Sequence, residues 1–551
     1  MNTLYFLEDK YDQRLPQKAQ VQAEWMQNLF QFFAVITLML GLWYLHFRWT
    51  QSLNTEALWF AIPLAFAETM MFIGTIFVVL NFWKIKDTPQ KEAPLSLEDV
   101  HELQSPNQNI SIDIYIPVFN EDPMLVRETI KASRAVKKKD SWKLNIYLLD
   151  DSNNPLMTQM AKEEGIEQIT REGKKGRKAG AITHAMDKTL GDFIVIIDSD
   201  TRLFSDILLN TMGYFRDKCV AWVQTPQWFC DLTEGKKGRD IFANDPAMFF
   251  DVIQRRRNNY NASFCCGATS IHRTSALREV ANARYNERIK EAKAKQLPTE
   301  DIEPEYIVYH SSEDIYTSLT IHAYKDKTFK SILHPHIESK MLSPLDLLTW
   351  TTQRFRYAGG TIDLIKKEFR QFFKKGLSLG QKLMYFSTFW SYTGAIWMMI
   401  LLISPMIYMF TNIAPVDSYS LTFFIHLVPF LFFNQIALMI ATWGIHSNRG
   451  SAFFVAISPL VIKAFYDVLR NKPINFIVTS KVAKAGNFLP LVKVQLALIL
   501  LYVLAILFAS TLLILGERIY FTGFAINLLW SLYNITALWA IVKASLYRFK
   551  G

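Results

Sequence analysis

Asp198 and Asp200 are one residue apart and follow the apolar run Phe193 to Ile197. In extended backbone that spacing turns both side chains to one face. Two carboxylates on one face can hold a hard divalent ion, Mg2+ or Mn2+, against a diphosphate; a solvated turn at a strand end has the same composition. Asp150-Asp151 follows a second apolar run, and either residue could hydrogen-bond the base or ribose of a nucleotide, although Asp151-Ser-Asn-Asn-Pro155 would also serve as a plain turn. Arg171 to Gly180 is Gly-broken, strongly basic and precedes a helical stretch, so its amides and Lys178 can meet phosphate, unless it is simply a basic surface loop. Glu313-Asp314 opens another helical pattern. It is either a cap or a general base that takes the proton of an attacking hydroxyl, which in a single displacement inverts the carbon attacked. Gln353, Arg356 and Tyr357 have i, i+3, i+4 spacing and share a helix face, with Arg354 beside them. Guanidiniums there would stabilise charge developing on a leaving diphosphate, and the Tyr357 ring offers a surface for a sugar face. The same helix could instead lie at a lipid surface with its basic residues on headgroups.

These residues need elements to position them. Ile110 to Pro117, Leu144 to Leu149 and Phe193 to Ile197 are β-branched or apolar runs that read as strands, and helical patterns over Met124 to Val136, Leu156 to Glu164 and Lys178 to Leu190 alternate with them. Alternation of this kind predicts a parallel, doubly wound sheet covered on both faces. Ligands of such sheets bind beyond the carboxyl ends of the strands, and Phe119-Asn120-Glu121, Asp150-Asp151 and Asp198-Ser-Asp200 all stand there. Ser343-Pro344 is the expected start of the helix carrying Gln353. The charged stretch Arg278 to Glu305 reads as a surface insertion, and Arg255-Arg256-Arg257 as solvated or membrane-facing charge.

Half of the 551 residues are hydrophobic and the net charge is +10. The apolar residues concentrate at both ends. Six segments are long and apolar enough to span a bilayer: about Leu29 to Phe47, Ala57 to Trp83, Tyr385 to Phe410, Leu421 to Trp443, Leu491 to Leu515 and Tyr520 to Val542. The expected organisation is two spans in residues 1–83, a linker over 84–109, a soluble α/β block over 110–376 ending in interfacial helices, and four spans in 377–551. Lys and Arg concentrate in the loop from Gly444 to Pro490 and in the tail, which places those loops, the termini and the α/β block in the cytoplasm. The first 28 residues are polar and charged, so no cleavable signal is expected. The basic balance suits lipid headgroups and a nucleoside diphosphate; no nucleic-acid module is present. Cys219, Cys230, Cys265 and Cys266 have no metal-type spacing and read as buried or site-lining thiols.

On these residues the chain resembles the processive family 2 glycosyltransferases of the cellulose synthase and curdlan synthase type. Pro117-Val-Phe-Asn-Glu121 looks like the family's uridine-binding strand end, with Phe119 against the base. Lys178-Ala-Gly180 is similar to its segment near the diphosphate, Gln224-Thr-Pro-Gln227 to a stretch lining the cleft, and Phe264-Cys-Cys-Gly267 to its acceptor-side motif, which puts Cys266 beside the terminal sugar. Glu313-Asp314 matches the motif whose Asp is the base, and Gln353 to Tyr357 the Gln-x-x-Arg-Trp motif, with Tyr357 where the family has Trp. Phe476-Ile-Val-Thr-Ser-Lys481, within 471–489, resembles its gating loop, whose Thr479 and Lys481 would contact the diphosphate.

The resemblance implies a GT-A nucleotide-diphospho-sugar transferase domain set in an α-helical membrane domain. It implies a UDP-sugar donor, a growing polysaccharide acceptor, membrane lipid around the spans, and accessory subunits or self-association. Asp314 would be the base, Asp198 and Asp200 the metal ligands. The chain ends soon after the sixth span, so no cyclic-di-GMP-binding domain is expected. Two other readings share some features: a transferase placing one sugar on a lipid carrier, and a transporter with a regulatory nucleotide-binding domain.

Overall fold

The computed structural model describes residues 4–17, 19, 22–101, 108–232, 240–369, 376–445, 448–474, 487–517 and 520–548. Its α/β block is built on β1 (Ile110–Val118), β2 (Trp142–Asp150), β3 (Glu167–Thr170), β4 (Phe193–Ile196), β5 (Arg202–Leu203), β6 (Val220–Gln224), β7 (Ser270–Arg273), β8 (Lys330–Leu333) and β9 (Ser339–Lys340). Seven of these form one sheet in the order β3-β2-β1-β4-β7-β6-β8, and β5 pairs with β9 in a small second sheet. The predicted parallel sheet holds for β1 with β2 and β4, and for β2 with β3. It fails at β7, which runs antiparallel to both β4 and β6. β7 follows the Phe264–Gly267 loop directly rather than a crossover helix, and an antiparallel neighbour needs no crossover.

Burial explains the strand composition. In β1, Ile110, Ile112, Ile114 and Ile116 pack with Val126 and Ile130 of α1 (Pro123–Arg134) and Met157 and Met160 of α2 (Pro155–Glu163). Tyr115 points to the other face, where Ala179, Ile182, Ala185 and Met186 of α3 (Arg177–Lys188) cover it. Both faces are thus sealed, as continuous apolar strands require. α1 and α2 begin alike, with Pro in the first turn and a capping side chain: Asp122 accepts from the Met124 amide and Asn154 from the Leu156 amide.

After the sheet come α4 (Thr274–Ala294), α5 (Glu313–His322) and α6 (Leu347–Glu368). α6 starts three residues later than Ser343-Pro344 predicts. Asp346 is its cap, accepting from the Thr349 amide at 2.8 Å. α4 is a charged helix, but Ala276, Leu277, Val280 and Ala281 bury its first half on the sheet.

Among the described residues, six helices are long and apolar enough to cross a membrane: Glu24–Thr50, Thr55–Phe82, Leu379–Thr411, Leu421–Ala441, Leu489–Ile514 and Phe521–Ser545. A bent pair, Arg449–Ala456 and Ser458–Leu469, meets at 46° between the fourth and fifth. The three consecutive arginines correct the expectation of solvated charge: Arg255, Arg256 and Arg257 are all buried. Arg255 forms a two-point pair with Asp87 of the linker, Arg256 donates to the Ala441 carbonyl at the end of the fourth span, and Arg257 donates to Ser387 Oγ in the third. They join the α/β block to the ends of the spans, and a guanidinium's five fixed donors suit that task.

Candidate active site

The carboxyl ends of β1, β2 and β4 open on one cavity of about 530 Å3. The β1–β2 register ends with Val118 opposite Asp150, and the Asp151 amide continues it by donating to the Val118 carbonyl at 3.1 Å. Phe119 and Asp151 therefore reach the same wall. The adjacent aspartates have separate roles. Asp150 turns inward, where one oxygen accepts from the Ser152 amide and hydroxyl and the other from Gln168 Nε2. Its place among the nucleotide-binding candidates is corrected on that ground, whereas Asp151 lines the cavity. Arg171 grips Asp151 with two bonds of 2.7 and 2.6 Å and also donates to the Lys175 and Arg177 carbonyls. It folds the basic loop and leaves Lys174, Arg177 and Lys178 on the cavity. Lys174 Nζ sits 4.5 Å from the centre of the Phe119 ring, and Glu121 Oε2 accepts from the Phe119 and Asn120 amides, which fixes that turn.

Lys178 Nζ donates to Asp198 Oδ1. Burial by itself would lower the Lys178 pKa, but Asp198, Glu313 and Asp314 outweigh it and hold the ammonium above its ordinary value. Asp198 lines the cavity with Asp200, and Asp200 Oδ2 accepts from the Leu342 amide at 3.2 Å. Across the cavity, Glu313 and Asp314 form the first turn of α5. Burial raises the pKa of both carboxyls, and the neighbouring Asp314 raises that of Glu313 further; Lys178 and Arg356 oppose the rise. Asp314 Oδ1 accepts from the Ile315 amide at 2.8 Å. Gly267, at φ +84°, brings the Cys266–Gly267 turn to this pair. A Cβ there would lie 3.8 Å from Lys178 Nζ and 3.9 Å from Asp314 Oδ2, and its backbone is one that L side chains rarely adopt. Cys266 also lines the cavity. Burial and Asp314 push its thiol well above the usual range, so it is a neutral wall group and not a nucleophile.

α6 closes the cavity with Gln353, Arg356 and Tyr357. Gly360 permits the approach, because a Cβ there would come within 2.1 Å of Ser312 Oγ in the turn before Glu313. Arg354 is a correction: it donates to Asn244 Oδ1 at 3.0 Å and is outside the lining. At 100° per residue it leaves the face shared by 353, 356 and 357. We expect Arg356→Ala to lower turnover by about 10² and Arg354→Ala to keep most of it while lowering the melting temperature. Steady-state rates and thermal melts of the two variants check this. Thr479 and Lys481 lie outside the described residues.

Residues 113–281 match the family described as Glycosyl transferase family 2. Over those residues the chain is similar to that family. It is 25% identical over 540 residues to the cellulose synthase 1 catalytic subunit (UDP-forming) of Komagataeibacter xylinus, covering 93% of this chain and 66% of the relative. It is 24% identical over 515 residues to the cellulose synthase catalytic subunit (UDP-forming) of Pseudomonas fluorescens, covering 91% and 64%. The chain thus spans just under two thirds of those relatives. A solved mannosyltransferase from Pyrobaculum calidifontis, in complex with GDP-Man and Mn2+, is similar over 74% of this chain and 99% of its own, at 14% identity and a TM-score of 0.46. With six helices among the described residues long and apolar enough to span a bilayer, flanking its α/β sheet, the chain is a multi-pass membrane protein.

The donor set of the cavity suits a hard cation shared with a ligand. Among the described residues no three His, Cys, Asp or Glu side chains surround one metal position. Asp198 and Asp200 would supply two oxygens, and phosphate and water the remainder, the usual arrangement for Mg2+. Spacing did not reveal Phe229 and Met341, which line the cavity and meet each other in an isolated bridge across more than a hundred residues. Gln227 had a sequence signal in Gln224-Thr-Pro-Gln227. It lines the cavity and donates to the Cys266 carbonyl at 2.9 Å, whereas Gln224 is wholly buried and holds the Cys266 amide.

Proposed function

We propose that the chain is an inverting, processive glycosyltransferase that moves glucose from UDP-glucose to a growing β-glucan and passes the polymer across the plasma membrane. The observation that carries this reading is the meeting of Asp314, the Lys178–Asp198 pair and Arg356 around one cavity, on a domain tied by buried arginines to the ends of its spans. The similarity to UDP-forming cellulose synthase catalytic subunits supports a UDP-sugar donor. Phe119 and Asp151 would take the nucleoside, and Lys178 and Arg356 the diphosphate. Asp198 and Asp200 would hold Mg2+ or Mn2+, which supplies charge neutralisation at the pyrophosphate. Asp314 takes the proton of the acceptor hydroxyl, while Arg356 faces the charge that appears on the departing UDP. Cys266, Gln353 and Tyr357 would meet the terminal sugar. The α/β domain then faces the cytoplasm, where nucleotide sugars are made.

The test is purified enzyme in lipid nanodiscs given a panel of UDP-sugars. UDP release is expected with UDP-glucose, together with a water-insoluble product digested by a linkage-specific β-glucanase. A radiolabelled product that partitions into chloroform would establish the lipid-carrier reaction instead, and UDP release from no UDP-sugar would sink both.

A further inference from the structure

The polar N-terminal segment is part of the catalytic domain's structure. Tyr5–Leu7 is one 3-10 turn and Asp9–Asp12 one helical turn, far too short to hold their shape without packing. Tyr5 and Phe6 are 2% and 1% exposed, in a cluster with Leu125, Cys230, Leu342 and Leu345. The Tyr5 hydroxyl donates to Asp231 Oδ2 at 2.5 Å. The other Asp231 oxygen accepts from the Ser343 amide at 2.7 Å, and the preceding amide, Leu342, donates to Asp200 Oδ2. Three hydrogen bonds and one peptide step therefore link residue 5 to Asp200.

A second anchor holds the strands flanking this loop. Asp12 Oδ1 accepts from Arg202 at 2.5 Å and from Lys340 at 2.6 Å. Arg202 lies in β5, two residues after Asp200, and is paired in register with Lys340 of β9. The Arg202 guanidinium also lies over the Phe6 ring at 4.8 Å. β9 runs directly into Met341, a residue of the cavity lining whose carbonyl accepts from the Cys230 amide. The strap thus grips β5 and β9 from outside, and the loop beyond β9 carries both a cavity wall and the amide that orients Asp200.

We propose that residues 4–14 form a positioning strap for Asp200 and for the cavity wall at Phe229 and Met341, with Tyr5 and Asp12 as its positioning residues. The proposal rests on the assignment of Asp198 and Asp200 to a cation held against a nucleoside diphosphate. Asp231 is fully buried, and a buried carboxylate that loses a donor must shift toward other partners. Loss of the Tyr5 hydroxyl takes one donor from Asp231 Oδ2, and a shift of that carboxylate is carried through the Ser343–Leu342 backbone to Asp200.

The test measures Mn2+ binding to the full chain in nanodiscs in the presence of UDP, by the electron paramagnetic resonance signal of free Mn2+, beside thermal melts. Tyr5→Phe is expected to weaken Mn2+ binding about five- to tenfold, the scale of one ordinary net hydrogen bond, since Tyr5 acts on Asp200 only through Asp231 and the Ser343–Leu342 backbone, and Asp12→Asn to do so through the second anchor. Both variants should raise the Mn2+ concentration needed for half-maximal UDP release more than they lower turnover at saturating Mn2+. Wild-type Mn2+ affinity in both, whatever happens to the melting temperature, overturns the strap. Failure of the wild-type chain to bind Mn2+ with UDP overturns the metal assignment beneath it, and the strap falls with it.

Discussion

Asp314→Asn should release UDP from UDP-glucose about 10³-fold more slowly than the wild type, because a positioned general base is worth roughly 10²–10⁴. The substitution is nearly isosteric, and the Asn oxygen can still accept from the Ile315 amide as Asp314 does now. Lys178, Asp198 and Arg356 are untouched, so UDP should bind within a few-fold of the wild-type affinity. A loss of turnover with retained binding is the signature of a group acting on the reacting atoms. Wild-type polymer yield from Asp314→Asn would remove the base and the inverting mechanism together.

The pH dependence sharpens this. Burial raises the Asp314 and Glu313 carboxyls above their ordinary values. A base must be ionised to work, so activity is present above the raised value and is lost as pH falls through it. The acid limb of the rate profile should accordingly sit above the ordinary carboxylate range. Glu313→Gln removes the like charge beside Asp314 and should move that limb to lower pH, since one carboxylate no longer competes with another for Lys178 and Arg356. An acid limb that stays in place in Glu313→Gln would mean that the two carboxyls do not share this environment.

Much of this site is written locally. Asp198, Asp200, Asp151, Glu313, Asp314 and Lys178 stand at strand ends and helix starts, and in such a sheet those positions converge by topology alone. The residues misread from sequence are those whose role depends on distant contacts. Nothing in Asp150-Asp151 tells which carboxylate turns inward, because the choice is made by Gln168 of the next strand and by Arg171. Arg354 and Arg356 look equivalent until Asn244 claims the first. Arg255 to Arg257 has the composition of a solvated face, yet Asp87, Ala441 and Ser387 bury it. The antiparallel β7 was equally invisible, since its neighbours β4 and β6 lie far away in the chain. The spans were the easiest elements to place, because a bilayer imposes its length requirement on each helix separately.

Removing the cation should match the loss at Asp314. EDTA is expected to abolish UDP release and Mg2+ or Mn2+ to restore it, while Asp200→Asn should raise the metal requirement by about 10² or more, given that even outer partners of metal ligands are worth 10–100-fold. The two aspartates should not respond alike. Asp198 is paired with Lys178, so on the proposed reading Asp198→Asn would take one oxygen from the cation and also leave the Lys178 ammonium to Glu313 and Asp314, drawing positive charge toward the proposed base. It should depress turnover even at saturating metal, whereas Asp200, held by the Leu342 amide behind β9, should act chiefly through metal affinity. Titrating Mn2+ against UDP release for both variants separates the effects: a shifted midpoint with a recovered plateau for Asp200→Asn, a lowered plateau for Asp198→Asn. Full activity in excess EDTA would leave diphosphate neutralisation to Lys178, Arg356 and the basic loop alone, and the paired aspartates would then be ordinary strand-end carboxylates.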